Sequence, residues 1–194
     1  MPTKLNNVQP AEMSAPQIVE LTIAASVTSA NDGHVNAYEA RNAILMKRRK
    51  ERIRYENGYT LPASAELLLA NAENLSYNHR RTLSRNISKF EQAGRPAEAC
   101  AHHIVALADD EADRSRRRLF KHGIGINDAD NGVHLPRYKI GLPGYPKASH
   151  HNSYHRKTYH IEVFMRLLPA NDVEQHREAL RIMKADLLAG RMSL

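Results

Sequence analysis

Apolar residues recur at helical spacing through the first half of the chain and in short, strand-like runs through the second. Ser14-Ala15-Pro16-Gln17 has the form of a capping box with a proline in the first turn. Ile18, Val19, Leu21, Ile23 and Val27 follow before Asn31-Asp32-Gly33, which predicts a buried helix. Tyr38, Ile44, Leu45 and Ile53 form a sparse stripe beside the basic run Lys47-Arg48-Arg49-Lys50 and predict a second helix over residues 36–55, stopped by Asn57-Gly58. Over residues 62–93, Leu67, Leu68, Leu75, Leu83, Ile87 and Phe90 keep the helical period, as one long helix or two, until Gly94-Arg95-Pro96 breaks it.

Beyond Pro96 the texture changes. Residues 101–107 read as a short strand, 109–121 as a charged helix, 123–131 as a loop and 132–136 as a second strand. A Gly- and Pro-containing loop runs to Pro146. A helix is expected over residues 149–168, because His151, His155, Tyr159, Val163 and Leu167 recur every fourth residue and share one face. A closing helix follows Pro169, over residues 172–188. The expected fold class is α+β and mostly helical, with an N-terminal helical region over residues 1–95 and a second domain over residues 96–194. Strand, strand and helix in that order give the outline of a ββα metal module.

Composition narrows the picture. A chain of 194 residues with 42% hydrophobic and 25% charged residues is long enough for one compact domain with a small companion and is not of a disordered or fibrous type. No run of about 18 apolar residues is present to span a membrane, and the start, with no apolar stretch after Lys4, leads us to expect no secretory leader. One cysteine, Cys100, permits no internal disulfide. The net charge of +7 and a pI near 9.6 attract polyanions, nucleic acid first and an acidic protein second. Of eleven histidines only His34 and His79 precede residue 100, which places the candidate chemistry in the second half.

Three pieces stand out there: His102-His103 at the end of a strand, Asn131-Gly132 at the head of the next, and His151 with His155 on the expected helix. Neighbours on a regular strand point to opposite faces, so one histidine of the doublet can hold a metal while the other faces substrate. The i, i+4 pair, with Cβ atoms ~5–6 Å apart, suits chelation of one ion. On its own, Asn131 reads as a residue that permits the turn with Gly132.

The segment Ala101-His102-His103-Ile104-Val105, then Arg118-Leu119, Gly123-Ile124, Asn127-Asp128-Ala129, Asn131-Gly132-Val133, Leu135-Pro136, and finally His151, His155, Tyr159 and Val163, resembles the AHH nucleases of the HNH/endonuclease VII superfamily over residues 98–168. The resemblance implies a ββα-metal, treble-clef-like site and metal-dependent cleavage of phosphodiesters, with one divalent ion (Mg, Mn or Zn). It implies His102 as metal ligand with His151 and His155, His103 as general base and Asn131 as the asparagine of the middle motif. DNA is the expected substrate and RNA the alternative. Many members are secreted antibacterial toxin domains. The matching expectations are a cognate immunity protein, a secretion-system carrier, synthesis in a bacterial cytoplasm and delivery into a target cell. Arg116, Arg117 and Arg118 lie between the two strands in sequence and are candidates to grip phosphate. The competing reading is a zinc-stabilised nucleic-acid-binding module that cuts nothing. It is less favoured because structural zinc sites are usually closed and rich in cysteine.

Overall fold

A computed structural model describes residues 39, 41–42, 52–74, 76–139, 141–148, 150–151 and 156–192. The chain divides into two compact units, residues 1–52 and 53–194. In the first, Glu39, Arg41 and Asn42 are helical; the helix expected after Ser14 and the basic run Lys47–Lys50 lie outside the described residues.

The second unit opens with a hairpin of β1 (Tyr55–Glu56) and β2 (Tyr59–Thr60). The helix expected to reach Tyr55 therefore stops earlier. Asn57 and Gly58 have φ of 49° and 90°, the pair of positive values that a tight primed hairpin turn requires, so this Asn-Gly connects strands and does not end a helix. A Cβ on Gly58 would collide with the Asn86 carbonyl, so a second constraint excludes a side chain there. Two helices follow, α1 (Ala65–Glu73) and α2 (His79–Glu91), separated because Asn78 caps the second by accepting from the Arg81 amide at 3.0 Å. Gly94–Pro96 is the turn between α2 and the next strand, inside the unit that begins at Ile53.

β3 (Ala99–His103) and β4 (Gly132–Pro136) form an antiparallel pair in which His103 faces Gly132, His102 faces Val133 and Ala101 faces His134. Between them in sequence run α3 (Asp113–Lys121) and the 123–131 loop. α2 packs on the pair so closely that a Cβ on Gly132 would stand 2.6 Å from Leu83 Cδ1 and 2.8 Å from Ile87 Cδ1. The glycine is there for close packing, and its neighbour Asn131 has no positive φ to accommodate.

Two helices close the fold, α4 (Lys157–Leu167) and α5 (Val173–Leu188). α4 starts eight residues later than the four-residue spacing predicts. Arg156 is extended (φ −125°, ψ 149°), so the helical row ends at Tyr159 and His151 is not on α4. Ile104, Leu119, Leu135, Tyr159, Val163 and Leu180, all at 0–1% exposure, centre the apolar core. Each such side chain contributes ~1.5–3 kcal/mol on leaving water. Among the described residues no helix is long and apolar enough to cross a membrane.

Within this core the 123–131 loop is held by charge. Asp128 and Asp130 are 0% and 1% exposed, and Arg177 of α5 bonds both, at 3.0 Å to Asp128 Oδ1 and 2.7 Å to Asp130 Oδ2. Thr60 of β2 donates its amide and its hydroxyl to Asp128 Oδ2, each at 2.7 Å, and Arg181 adds two bonds to Asp130. Hairpin, loop and α5 are thereby joined through two buried carboxylates. Removing one partner of a buried pair leaves the other charge without compensation, so Arg177→Met is expected to destabilise the fold by ~3–5 kcal/mol. Urea unfolding followed by circular dichroism measures this, and a loss below ~1 kcal/mol would contradict the role given to the network.

Candidate active site

The strand separates the histidine doublet as pleating requires. His102, 3% exposed, turns toward α4, where its Nε2 lies 3.1 Å from the Tyr159 hydroxyl. That hydroxyl donates its only proton to the Ile104 carbonyl at 3.0 Å, because a carbonyl can only accept. The Tyr159 oxygen therefore accepts from His102 Nε2–H. The His151 ring stands edge-on to His102 with centroids 5.1 Å apart.

His103, half-buried, points the other way, and its Nε2 lies 3.1 Å from Asn127 Oδ1. The same argument fixes its tautomer. Asn127 Nδ2 donates to His79 Nδ1 at 3.0 Å, and His79 Nε2 donates in turn to the Asn74 carbonyl at 3.2 Å. Each link has one orientation that satisfies all partners: His103 Nε2 carries the proton and Nδ1 the lone pair. Asn127 is itself 0% exposed and bound to α2, its carbonyl accepting from Asn86 Nδ2 at 2.7 Å. An imidazole held this way, with its unprotonated nitrogen fixed, is a proton acceptor aimed by its second nitrogen.

Asn131 has a different task from the asparagine that aims His103. Its Oδ1 accepts from the Val105 amide at 2.8 Å, and its Nδ2 donates to the carbonyls of Ile126 at 2.8 Å and Val105 at 3.3 Å. Its amide side chain is spent on backbone and braces the loop against the chain leaving β3. The residue that orients His103 is Asn127, which spacing did not single out; the dense Asn127-Asp128-Ala129-Asp130-Asn131 run was the available signal.

The basic cluster is also redistributed. Arg116, 9% exposed, donates to the Ala106 and Asp109 carbonyls at 3.1 and 2.6 Å, and Arg118 donates to those of Leu168 and Ala170 at 3.0 and 2.6 Å. Both are tied to backbone and are not placed to grip a phosphate. Arg117 faces solvent and pairs with Asp113 at 2.8 Å. His155 lies outside the described residues, and among those described no three His, Cys, Asp or Glu side chains converge as a metal set.

Electrostatics keep the site's bases neutral. Enclosure of the His103 ring by protein pushes it down from 6.5 to about 4. The Asn127 bond opposes this, while positive charge on His79 or His151 reinforces it. Burial likewise lowers His79, and more distantly His134, His122 and His176. A ring of this kind stays unprotonated at neutral pH, as a proton acceptor must.

The comparisons with known proteins bear on this geometry through one family. The model of AHH, a nuclease family of the HNH/ENDO VII superfamily with conserved AHH, matches residues 83–187. No curated protein and no solved structure matches the chain significantly. The matched stretch takes in Ala101-His102-His103, the loop that aims His103 and the helices that hold His102 and Asp128. Because it covers more than half of the sequence, this chain belongs to the AHH family of nucleases.

Proposed function

We propose that the chain is a metal-dependent endonuclease that hydrolyses nucleic acid phosphodiester bonds, DNA foremost, through a site built on His102 and His103. The observation that carries this reading is the opposite tethering of the two neighbouring rings, His102 to Tyr159 of α4 and His103 to Asn127 of the 123–131 loop, the second of which leaves His103 Nδ1 as its lone-pair nitrogen. The donor set suits a cation. Two imidazoles on one tetrahedral ion, with N–metal distances of ~2.0–2.1 Å, put ring centroids about 5 Å apart, and His102 and His151 stand at 5.1 Å. His102 and His151 would hold the metal, with His155 as the third ligand expected from the resemblance. When bound, a divalent ion supplies positive charge to the phosphate and leaving-group oxygens.

The chain's own residues do the rest. A water in line with the scissile bond gives its proton to His103 Nδ1, and Asn127 Oδ1 takes the hydrogen bond of the imidazolium's Nε2–H, as it does in the neutral ring. Tyr159 accepts from His102 Nε2–H and holds that ring against α4. Asn131 keeps the end of β3 in register with the loop.

The resemblance and the basic charge also support a wider role, as a secreted antibacterial effector with an acidic immunity protein as partner. In this role residues upstream of the matched stretch dock to a secretion carrier, and the product is made in one bacterial cytoplasm and acts in another. Expression of the active chain in a bacterial cytoplasm should arrest growth, and His103→Ala should abolish the arrest. Normal growth with folded wild-type protein present would count against the toxin role.

Cleavage separates base from ligand. His103→Ala is expected to lose on the order of 10²–10⁴ in plasmid cleavage rate while metal affinity is kept, whereas His102→Ala should lower metal affinity in calorimetric titration. EDTA should stop the wild type on plasmid and RNA alike. A His103→Ala chain that fails to bind metal beside a His102→Ala chain that binds normally would reverse the two roles.

Acid tests the same arrangement twice. Rate depends on neutral His103, so under saturating metal it should hold through pH 6.5 and fall only as pH approaches about 4. Stability moves earlier, since the five lowered histidines make the unfolded chain bind more protons below about pH 6.5 and the melting temperature should decline from there downward. A rate that halves near pH 6.5 while the melting temperature is still flat would show that His103 is not held low.

A further inference from the structure

A charged surface feature lies outside the doublet. One face of α2 and the turn after it border a cleft of about 530 Å³ lined by Arg80, Arg81, Arg85 and Arg95, with Ser84 on its wall and Ala101 of β3 as its floor. All four arginines are exposed, and among the described residues none of their guanidinium groups is paired with a carboxylate. They contrast with Arg116, Arg118 and Arg177, which are consumed by the fold. No Asp or Glu lines the cleft among the described residues.

Position connects this cleft to the site. Ala101 lies two residues before His103, so strand alternation puts both on the α2 side of the sheet. The N-terminal end of α2 enters the site itself, because His79 bonds Asn127, the residue that aims His103. Arg81 and Arg85 are one turn apart, a rise of ~6 Å, along a helix that leads away from that point. A row of unpaired, weakly hydrated, planar cations over a small apolar floor fits phosphate oxygens better than base edges, which need a groove-reading element.

We propose that this cleft binds the sugar-phosphate backbone of the nucleic acid strand whose scissile phosphate lies at His103, with Arg81 and Arg85 as its central contacts. The proposal rests on the nuclease reading for the position of the scissile bond, and its test is a binding measurement that needs no cleavage. The full chain in EDTA is titrated against short fluorescent duplexes of DNA and of RNA over a range of salt. Each phosphate neutralised contributes about 0.9 to the slope of log affinity against log salt. The double variant Arg81→Gln/Arg85→Gln should therefore bind at least tenfold more weakly and lose about 1 to 2 from that slope, on DNA, RNA or both. A control with equal charge loss on α3, Arg114→Gln/Lys121→Gln, should change the slope far less.

With metal present, the Arg81→Gln/Arg85→Gln chain should hydrolyse bis(p-nitrophenyl) phosphate as the wild type does, because this small diester does not reach the cleft. Equal losses in both double variants would show only a diffuse attraction and overturn the proposal, as would an Arg81→Gln/Arg85→Gln chain that binds like the wild type. Weakened binding of polyglutamate, with both nucleic acids unaffected, would overturn it in favour of an acidic protein. If the wild type cleaves neither plasmid nor diester, the nuclease reading fails, while the salt slopes still decide the cleft.

Discussion

Two carboxylates buried to within 1% of complete exclusion from solvent, Asp128 and Asp130, set the terms for this fold. Charges taken so far from water are stable only with excellent geometry and every lone pair occupied. Arg177, Arg181 and Thr60 meet that demand by coming from opposite ends of the unit, β2 and α5. The Arg177 guanidinium also lies 4.6 Å from the centre of the Tyr59 ring. Sequence-distant elements must thus be assembled before the loop can take its shape. Asn127 and Asn131 flank the carboxylates on that loop, and their side chains fix the two ends of the chemistry: one aims His103, the other braces the chain just beyond it. The site is therefore only as rigid as an ion network that never touches it.

The doublet shows how a backbone rule is turned into a division of labour. Adjacent residues on β3 cannot share a face, so the two imidazoles meet different partners. The side chain that bonds His103 is a neutral amide. A carboxylate behind His103 would raise its pKa and favour the protonated ring. A neutral amide that receives its own direction from His79 holds the tautomer without that cost, and burial then keeps the ring unprotonated. At His102 the tyrosine is likewise uncharged, its proton committed to the Ile104 carbonyl and its oxygen accepting from Nε2–H.

How much of this the sequence discloses depends on the range of the interaction. The strand at 132–136, the closing helix over residues 172–188 and the doublet are legible because pleat, helical period and motif are local. Asn57-Gly58 is a local signal with two meanings, and only the pairing of Tyr55 with Thr60 selects hairpin over helix stop. The His151-to-Leu167 spacing is genuine from Tyr159 onward, but periodicity carries no information on where a helix begins, and Arg156 is extended. Asn127 stayed hidden because its role is defined by His79 and His103, 48 and 24 residues away.

Charge is the least legible quantity of all. A net +7 describes a sum, and arginines within a few residues of one another in this chain do opposite things. Arg116 and Arg118 sit on α3 among the elements they hold together, with backbone carbonyls arranged to receive them, and their positive charge is spent inside the protein. Arg81 and Arg85 lie on the outer face of α2, whose inner face, Leu83 and Ile87, is already occupied in packing against Gly132. An amphipathic helix that has used one face on the sheet must leave the other to solvent, and with arginine there the exposed face becomes a fixed positive surface. The packing that seats α2 against β3 and β4 thus also sets those cations beside the doublet.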